Sequence, residues 1–318
     1  ADIAISSISA PARIMVGEDV NISYKLSNEG EYTAAGNLHD VIYLSKDDKW
    51  DLNDEMVGVV SGKVTIYPGN TITRSVIGRI TNVPEGDYHV IVKTNSTKAI
   101  AEKSEKNNTA VMNSSSKLAY HTITLGSNTS VNTSGYYKLE VPGGYEGKTL
   151  GFNLTHPEDA AVGLYASYEK VPSTAKYDFA ASKLLENQQE VLIPNAKAGN
   201  YYILAQDNAA FVNATGNVFT ESGTDFSVTT HMTLDAKEVH FGATTLSIKE
   251  GGNGGWVSTD INGALFDSIM DFRLKLDEKV IPAEAVTFNG MTKSRVTFNL
   301  NDAETGSYDV ISELPDGT

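Results

Sequence analysis

The chain has 318 residues, a length that accommodates two or three domains of ordinary size. Its formal net charge of −15 gives an acidic surface, which repels phosphate backbones and anionic lipids and so disfavours nucleic acid and membrane surfaces as partners. The absence of cysteine excludes disulfides, thiolate nucleophiles and cysteine-based zinc sites.

Short segments in which apolar and polar residues alternate run through the whole chain. A period of two residues is typical of half-buried β-strands, and clusters of Gly, Pro, Asn and Ser separate the segments as turns do. We therefore predict an all-β protein, a tandem array of three β-sandwich domains of the Ig-like or jelly-roll type, without a membrane-spanning segment. The clearest segments are Val20–Leu26, Val41–Leu44, Tyr88–Val92, Tyr136–Val141, Tyr201–Leu204, Phe272–Leu276 and Arg295–Leu300.

A glycine shortly before a tyrosine that opens an alternating segment occurs three times, in residues 84–90, 198–203 and 305–310. This arrangement predicts a tyrosine corner, in which the ring packs at the edge of the core and the hydroxyl bonds to the main chain. Because the copies are about 105–115 residues apart, we interpret them as the late strands of three successive sandwiches. With polar seams near residues 107–116 and 221–230, the predicted domains are 1–116, 117–229 and 230–318.

Six segments characterise the first predicted domain: Asp2–Ile5, Val16–Glu18, Leu26–Gly30, Val41–Asp47, Pro84–Tyr88 and Glu102–Thr109. With these segments, residues 1–116 resemble a CARDB domain, the cell-adhesion-related domain of bacteria and archaea. The resemblance implies an Ig-like fold, an exported protein and no catalytic residues.

The second predicted domain is similar to the pre-peptidase C-terminal type of jelly roll, a domain that accompanies secreted proteases without being the protease. The aspartate-rich run usual in that family is missing at residues 158–162, so no calcium site is carried over from it. The matching segments are Tyr136–Leu139, Val162–Tyr165, Ser173–Asp178, Glu190–Ile193 and Gly199–Tyr202.

The third predicted domain resembles an IPT/TIG Ig-like domain in four segments: Gly255–Val257, Ile261–Phe266, Thr297–Leu300 and Gly306–Val310. Only ten residues follow Tyr308, where the family has a further edge strand. The resemblance therefore implies either that the last strand has been cut off or that a strand is donated from elsewhere.

The densest group of acidic residues lies in one loop, from Asp47 to Glu55. Carboxylate and amide oxygens at short spacing are ligands that Ca²⁺ prefers, although the spacing differs from that of an EF-hand. The predicted metal ligands are Asp47, Asp51, Asn53 and Asp54, and the ion would stiffen the domain. The alternative interpretation is a solvated acidic hairpin without a metal.

Recognised catalytic signatures are missing from the sequence. It contains no G-x-S-x-G elbow and no H-E-x-x-H pair among its histidines. The glycine run Gly251–Gly255 precedes a strand-like segment instead of a helix, so we predict a turn and not a phosphate loop. We expect a protein that is not an enzyme.

The sequence as a whole predicts a non-catalytic structural or adhesive segment of a prokaryotic extracellular or cell-surface protein, such as an adhesin, surface-layer or filament component. Its domains would act as spacers and as protein–protein contact modules. The expected partners are other cell-surface or matrix proteins, copies of the chain itself, and glycans. The alternative is a carbohydrate- or peptide-binding accessory region of a secreted hydrolase.

Overall fold

The computed structural model of the protein describes residues 1–131, 135–156, 162–181, 186–207 and 232–317. In these residues all regular structure is β-strand, which confirms the predicted all-β class. The chain divides into two compact units, Ala1–Thr122 with Ser134–Tyr137 (unit 1) and Ile123–Thr133 with Lys138–Thr318 (unit 2). The described part of the chain contains no helix with the length and apolarity that a membrane crossing requires.

Unit 1 contains two sheets, with strand orders β1-β3-β6 and β2-β8-β7-β4-β5. Neighbouring strands are antiparallel except β2 and β8, which run parallel with Arg13 opposite Lys117. The strands are β1 Ile3–Ser9, β2 Arg13–Met15, β3 Asp19–Asn28, β4 Ala34–Ser45, β5 Glu55–Ile66, β6 Thr71–Arg79, β7 Gly86–Lys93 and β8 Thr109–Ala119.

The alternation predicted from the sequence determines which side of each strand of unit 1 is buried. In β3 every second residue from Val20 to Leu26 is buried, and in β4 the same holds from Leu38 to Leu44. A hydrogen bond from Tyr24 in β3 to Asp40 in β4 joins the two inner faces. The core of unit 1 therefore lies between its two sheets, as in a β-sandwich.

The middle of the chain forms a second pair of sheets, with strand orders β14-β13-β16-β11-β9 and β10-β17-β12-β15. The strands are β9 His121–Ile123, β10 Ser127–Val131, β11 Gly135–Val141, β12 Thr149–Thr155, β13 Val162–Tyr168, β14 Phe179–Ala180, β15 Gln188–Ile193, β16 Gly199–Asp207 and β17 Met232–Val239.

Strand β17 belongs to a sheet of the middle part of the chain. It pairs with β10 and β12, so Met232–Val239 completes a sheet of the middle sandwich although it follows the predicted boundary at residue 229. Composition marks a polar segment, but it does not distinguish a connection inside a domain from a seam between two domains. The seam at 221–230 lies outside the described residues.

The last part of unit 2 is a six-stranded sheet with the order β18-β19-β22-β21-β20-β23. Its core contains Phe266 and Phe272, whose rings meet edge to face at 5.4 Å between centroids. The predicted turn at Gly251–Gly255 is confirmed, because these residues lie in the connection between the antiparallel neighbours β18 and β19. The strands are β18 Gly242–Leu246, β19 Trp256–Ala264, β20 Asp271–Leu276, β21 Lys279–Phe288, β22 Lys293–Asn299 and β23 Asp309–Glu313.

All three predicted tyrosine corners form. In each copy the tyrosine hydroxyl bonds to the main chain of the residue four positions earlier, and a late strand begins at or close to the tyrosine. Two of the hydroxyls donate to carbonyl oxygens and the third accepts an amide N–H. The pairs are Tyr88 with Pro84, Tyr308 with Glu304, and Tyr201 with Lys197, each at 2.9 Å.

Candidate functional site

The predicted calcium loop connects β4 to β5, and its carboxylates bond to their own backbone. Oδ1 of Asp47 accepts the N–H of Lys49 at 2.8 Å. Oδ1 of Asp51 accepts the N–H of Asn53 at 2.6 Å, and Oδ2 of Asp54 accepts the N–H of Asp51 at 2.8 Å. These bonds are the local turns that Asp side chains make with nearby backbone.

The structure brings three of the four predicted ligands together and separates the fourth. Asp51, Asn53 and Asp54 are linked through backbone hydrogen bonds, whereas Asp47 bonds towards Ser45. In the described residues, no three side chains of His, Cys, Asp or Glu are grouped to hold a metal ion. Calcium binding by this loop stays a prediction.

Trp50, at the centre of the same loop, anchors it to the sheet. Its ring meets Tyr43 edge to face at 5.8 Å, and Nζ of Lys93 lies 3.6 Å from its centroid. An aromatic ring covered by a cation and a second ring is packed, not displayed as a binding platform.

A cleft of about 650 Å³ opens in the last sheet of unit 2, between the β18–β19 connection and the third tyrosine corner. Its floor is apolar, with Leu246, Leu274 and Val310. Glu304 and Tyr308 line its rim. Its concave shape and apolar floor are those of a ligand pocket, and no histidine or cysteine lies among the described residues that line it.

Among the described residues of unit 1, Asp40 is a carboxylate that is fully buried. Its Oδ2 accepts a hydrogen bond from the hydroxyl of Tyr24 at 2.6 Å and forms an ion pair with Nε of Arg74 at 3.1 Å. Its Oδ1 accepts the hydroxyl of Thr94 at 2.6 Å and the N–H of Asn95 at 3.2 Å. Both oxygens are satisfied, which a buried carboxylate requires.

This Asp40 cluster connects the two sheets of unit 1. Tyr24 and Arg74 belong to β3 and β6 of one sheet, and Asp40 belongs to β4 of the other. Burial, followed by the hydrogen bond to the Asp40 carboxylate, raises the pKa of the Tyr24 hydroxyl, which therefore stays a donor. Sequence reasoning missed the cluster, although Asp40 occupies an inward position of the alternating segment between Leu38 and Ile42.

Comparison with known proteins identifies the first third of the chain. The CARDB family model matches residues 1–112. No curated protein matches the chain.

Three solved structures that match are each 16% identical to the chain and cover 37% of it. A CARDB domain from Pyrococcus furiosus in complex with di-metal ions has a TM-score of 0.28, with 88% of that chain covered. A solution structure of a CARDB domain from the same organism has the same TM-score, with 94% covered. A β-glucosidase from Listeria innocua has a TM-score of 0.24, with 16% covered.

These scores are too low to carry an inference about ligands or activity. The resemblances of the second and third predicted domains remain predictions, because the family match ends at residue 112. The six segments of the first predicted domain and the two-sheet sandwich of unit 1 agree with that match. Residues 1–112 are a CARDB domain.

Proposed function

We propose that this chain is a non-catalytic structural segment of a prokaryotic extracellular or cell-surface protein, in which β-sandwich domains act as spacers and contact copies of the same chain. The CARDB domain supports this role, since that family is associated with cell-adhesion-related surface proteins. The absence of catalysis is an expectation that a panel of hydrolase assays on the full chain tests.

The observation that carries the proposal is an unpaired sheet edge in unit 2. Strand β20 pairs with β21 only from Lys279 to Pro282, whereas β22 pairs with β21 from Ala283 to Phe288. Among the described strands, no other strand pairs with Ala283–Phe288, which leaves its second edge open. Val286 and Phe288 are each 38% exposed there. An open edge that carries apolar side chains is a template for a further strand.

The sequence of this edge is compatible with its own copy. Glu284 is the one charged residue between Ala283 and Phe288. If two copies pair antiparallel about a twofold axis between Ala285 and Val286, Glu284 lies opposite Thr287, and no like charges face each other. Such a contact ends at a dimer, because both copies use the same surface for it.

The strength of the contact follows from its size and from the charge of the chain. A six-residue strand pair buries less than a stable protein–protein interface, so we expect a dissociation constant in roughly the micromolar to millimolar range. The net charge of −15 opposes association, and salt screens that repulsion. Dimerisation should therefore increase with ionic strength.

Sedimentation velocity of the full chain at about 0.01 M and about 0.5 M salt tests the proposal. We expect a dimer fraction that grows with protein concentration and salt, and that disappears in Val286→Lys. Ile269→Lys is the matched control, because Ile269 is 62% exposed and lies outside the open edge. A chain that remains monomeric throughout, or equal effects of the two variants, would overturn the edge contact.

One observation favours the second candidate, a peptide-binding accessory region. The cleft of about 650 Å³ has the volume of a ligand site, and its apolar floor suits the side chains of an extended peptide. A sugar would find no aromatic platform there, since Phe298 is 1% exposed and Tyr308 is the one tyrosine in the lining. Peptide-library and glycan screens separate these ligands, and binding lost in Leu274→Lys would locate the site.

A further inference from the structure

Two strongly exposed tyrosines lie in neighbouring connections of unit 1. Tyr32 belongs to the connection between β3 and β4, and Tyr67 belongs to the connection between β5 and β6. Their exposed fractions are 75% and 60%. A single apolar side chain at a surface needs no explanation, whereas a pair of large aromatic residues at one place is typical of a contact surface.

The side chain of Asn28, which is fully buried, holds the two connections together. Its Nδ2 donates to the carbonyl oxygen of Tyr32 at 2.8 Å and to that of Ile66 at 2.9 Å. Ile66 directly precedes Tyr67. Because one nitrogen bonds to both main-chain segments, the two tyrosines are neighbours in space although they are far apart in the sequence.

Further main-chain hydrogen bonds fix both connections. Oδ1 of Asn28 accepts the N–H of Asp2 at 3.0 Å and the N–H of Gly30 at 3.1 Å. The carbonyl of Asn28 accepts the N–H of Gly69 at 2.9 Å, and its N–H donates to the carbonyl of Asn70 at 3.1 Å. A surface whose backbone is already ordered loses little conformational entropy when a partner binds.

The side chains of Tyr32 and Tyr67 are not used inside the protein. In the part of the chain that the structure describes, neither hydroxyl makes a hydrogen bond, and neither ring contacts another ring or a cation. The buried ring of Tyr88 does have such a partner, because Nζ of Lys46 lies 3.8 Å from its centroid. The rings of Tyr32 and Tyr67 are therefore free to accept a cation from outside.

Two exposed glutamates precede Tyr32 in the same connection. Among the described residues, neither Glu29 nor Glu31 has a Lys, Arg or His nitrogen within 4 Å. Carboxylates beside aromatic faces attract guanidinium and ammonium groups, through ion pairs and through the ring quadrupole. The net charge of −15 adds an attraction for basic partners at longer range.

We propose that a docking surface for a basic segment of a partner protein is formed by Glu29, Glu31, Tyr32 and Tyr67. Arginine or lysine side chains of that segment stack on the rings and pair with the carboxylates. This contact is separate from the strand edge of unit 2, which we propose to bind a copy of the chain. A glycan also stacks on exposed tyrosines, but a neutral sugar gains nothing from the long-range charge, so the charge favours the basic segment.

Fluorescence anisotropy of a labelled peptide of alternating arginine and serine, added to the full chain at about 0.15 M salt, tests the surface. Tyr32→Ala and Tyr67→Ala should each weaken binding by about fivefold or more. The double variant Glu29→Gln/Glu31→Gln should weaken it as well, because both ion pairs are lost. Tyr32→Phe retains the ring face and should bind as the wild type does. All four residues are exposed, so the variants should keep the melting temperature of the wild type.

Matched controls distinguish this surface from general attraction to an acidic protein. Trp256→Ala removes an aromatic side chain that is also 60% exposed but belongs to unit 2, and it should leave binding unchanged. Asp277→Asn/Glu278→Gln removes two exposed charges of unit 2 and should also leave it unchanged. Val286→Lys alters the strand edge and should bind the peptide normally, so the two proposals fail independently.

The proposal is overturned if the peptide does not bind, if Tyr32→Ala and Tyr67→Ala both bind as the wild type does, or if the control variants lose binding equally. A glycan array provides the remaining comparison. Glycan binding that disappears in the two alanine variants, while peptide binding persists, would overturn the basic partner and assign the surface to sugars.

Discussion

The hydroxyl of Tyr24 donates a hydrogen bond of 2.6 Å to Oδ2 of Asp40, across the interface between the two sheets of unit 1. The same oxygen forms an ion pair with Nε of Arg74 at 3.1 Å, so one buried carboxylate binds two side chains of the opposite sheet. In a chain without cysteine, this cluster supplies a specific cross-sheet link of the kind that a disulfide provides in other sandwiches.

Replacing Asp40 with asparagine should destabilise unit 1 strongly. The side chain of Arg74 is 9% exposed, and without the carboxylate its charge would be buried and unpaired, at a cost of about 3–5 kcal/mol. Urea unfolding followed by the fluorescence of Trp50, in a Trp256→Phe background, measures the change. Asp19→Asn is the control, because it breaks an exposed pair with Arg79 and should cost less than about 1 kcal/mol. Similar losses in the two variants would contradict the role of the cluster.

Stability should fall steeply in alkali. Burial raises the pKa of Tyr24, Tyr136 and Tyr201, and that of Tyr145 to about 12. In the unfolded chain these hydroxyls ionise near pH 10, so above about pH 10 the unfolded state has lost protons that the folded state retains. The stabilisation is therefore complete below pH 10 and is lost as the pH rises towards the folded pKa values.

Urea midpoints measured at about pH 8 and about pH 11 test this dependence. Tyr24→Phe removes one of the titrating groups, so it should lower stability at pH 8 and make the decline above pH 10 shallower. An equal decline in the variant and the wild type would show that Tyr24 does not contribute.

The tyrosine corners should differ in strength. Tyr88→Phe removes a hydrogen bond to the Pro84 carbonyl from a residue that is 4% exposed, and should cost about 1 kcal/mol. Tyr308→Phe removes the equivalent bond from a half-buried residue and should cost less. Denaturant unfolding of both variants provides the comparison, and a larger effect at Tyr308 would contradict burial as the cause.

Gly263 should tolerate no side chain. A Cβ there would lie 2.2 Å from the carbonyl oxygen of Gly242 and 2.4 Å from the ring of Phe266, so the strands must separate or the ring must move. We expect Gly263→Ala to cost about 1–3 kcal/mol. Gly254→Ala is the control, because a Cβ at Gly254 has no atom within 4 Å. Thermal unfolding of both variants distinguishes them, and equal stability would contradict the packing.

The features that the sequence predicted correctly depend on neighbouring residues. The alternation in β3 follows from burying one face of a strand, and each tyrosine corner closes over four residues. The cluster around Asp40 joins residues 16 to 55 positions apart, and Glu102 meets Ile3 across 99 positions. Strand pairing creates these contacts, and no local pattern encodes them.

The acidic loop between β4 and β5 shows a different limit of prediction from sequence. Its composition identified residues whose oxygens accept bonds at short range, but a carboxylate that caps a turn and one that binds Ca²⁺ are the same side chain. The placement of β17 has a similar cause, because its partners β10 and β12 lie far earlier in the chain.

The parallel pairing of β2 with β8 has a mechanical consequence. Arg13–Met15 lies near the start of unit 1 and Lys117–Ala119 near its end, and both strands run in the same direction. Tension applied between the two ends therefore pulls the strands past each other along their axes, and their hydrogen bonds bear the force together instead of opening one after another. A domain built in this way resists stretching through shear.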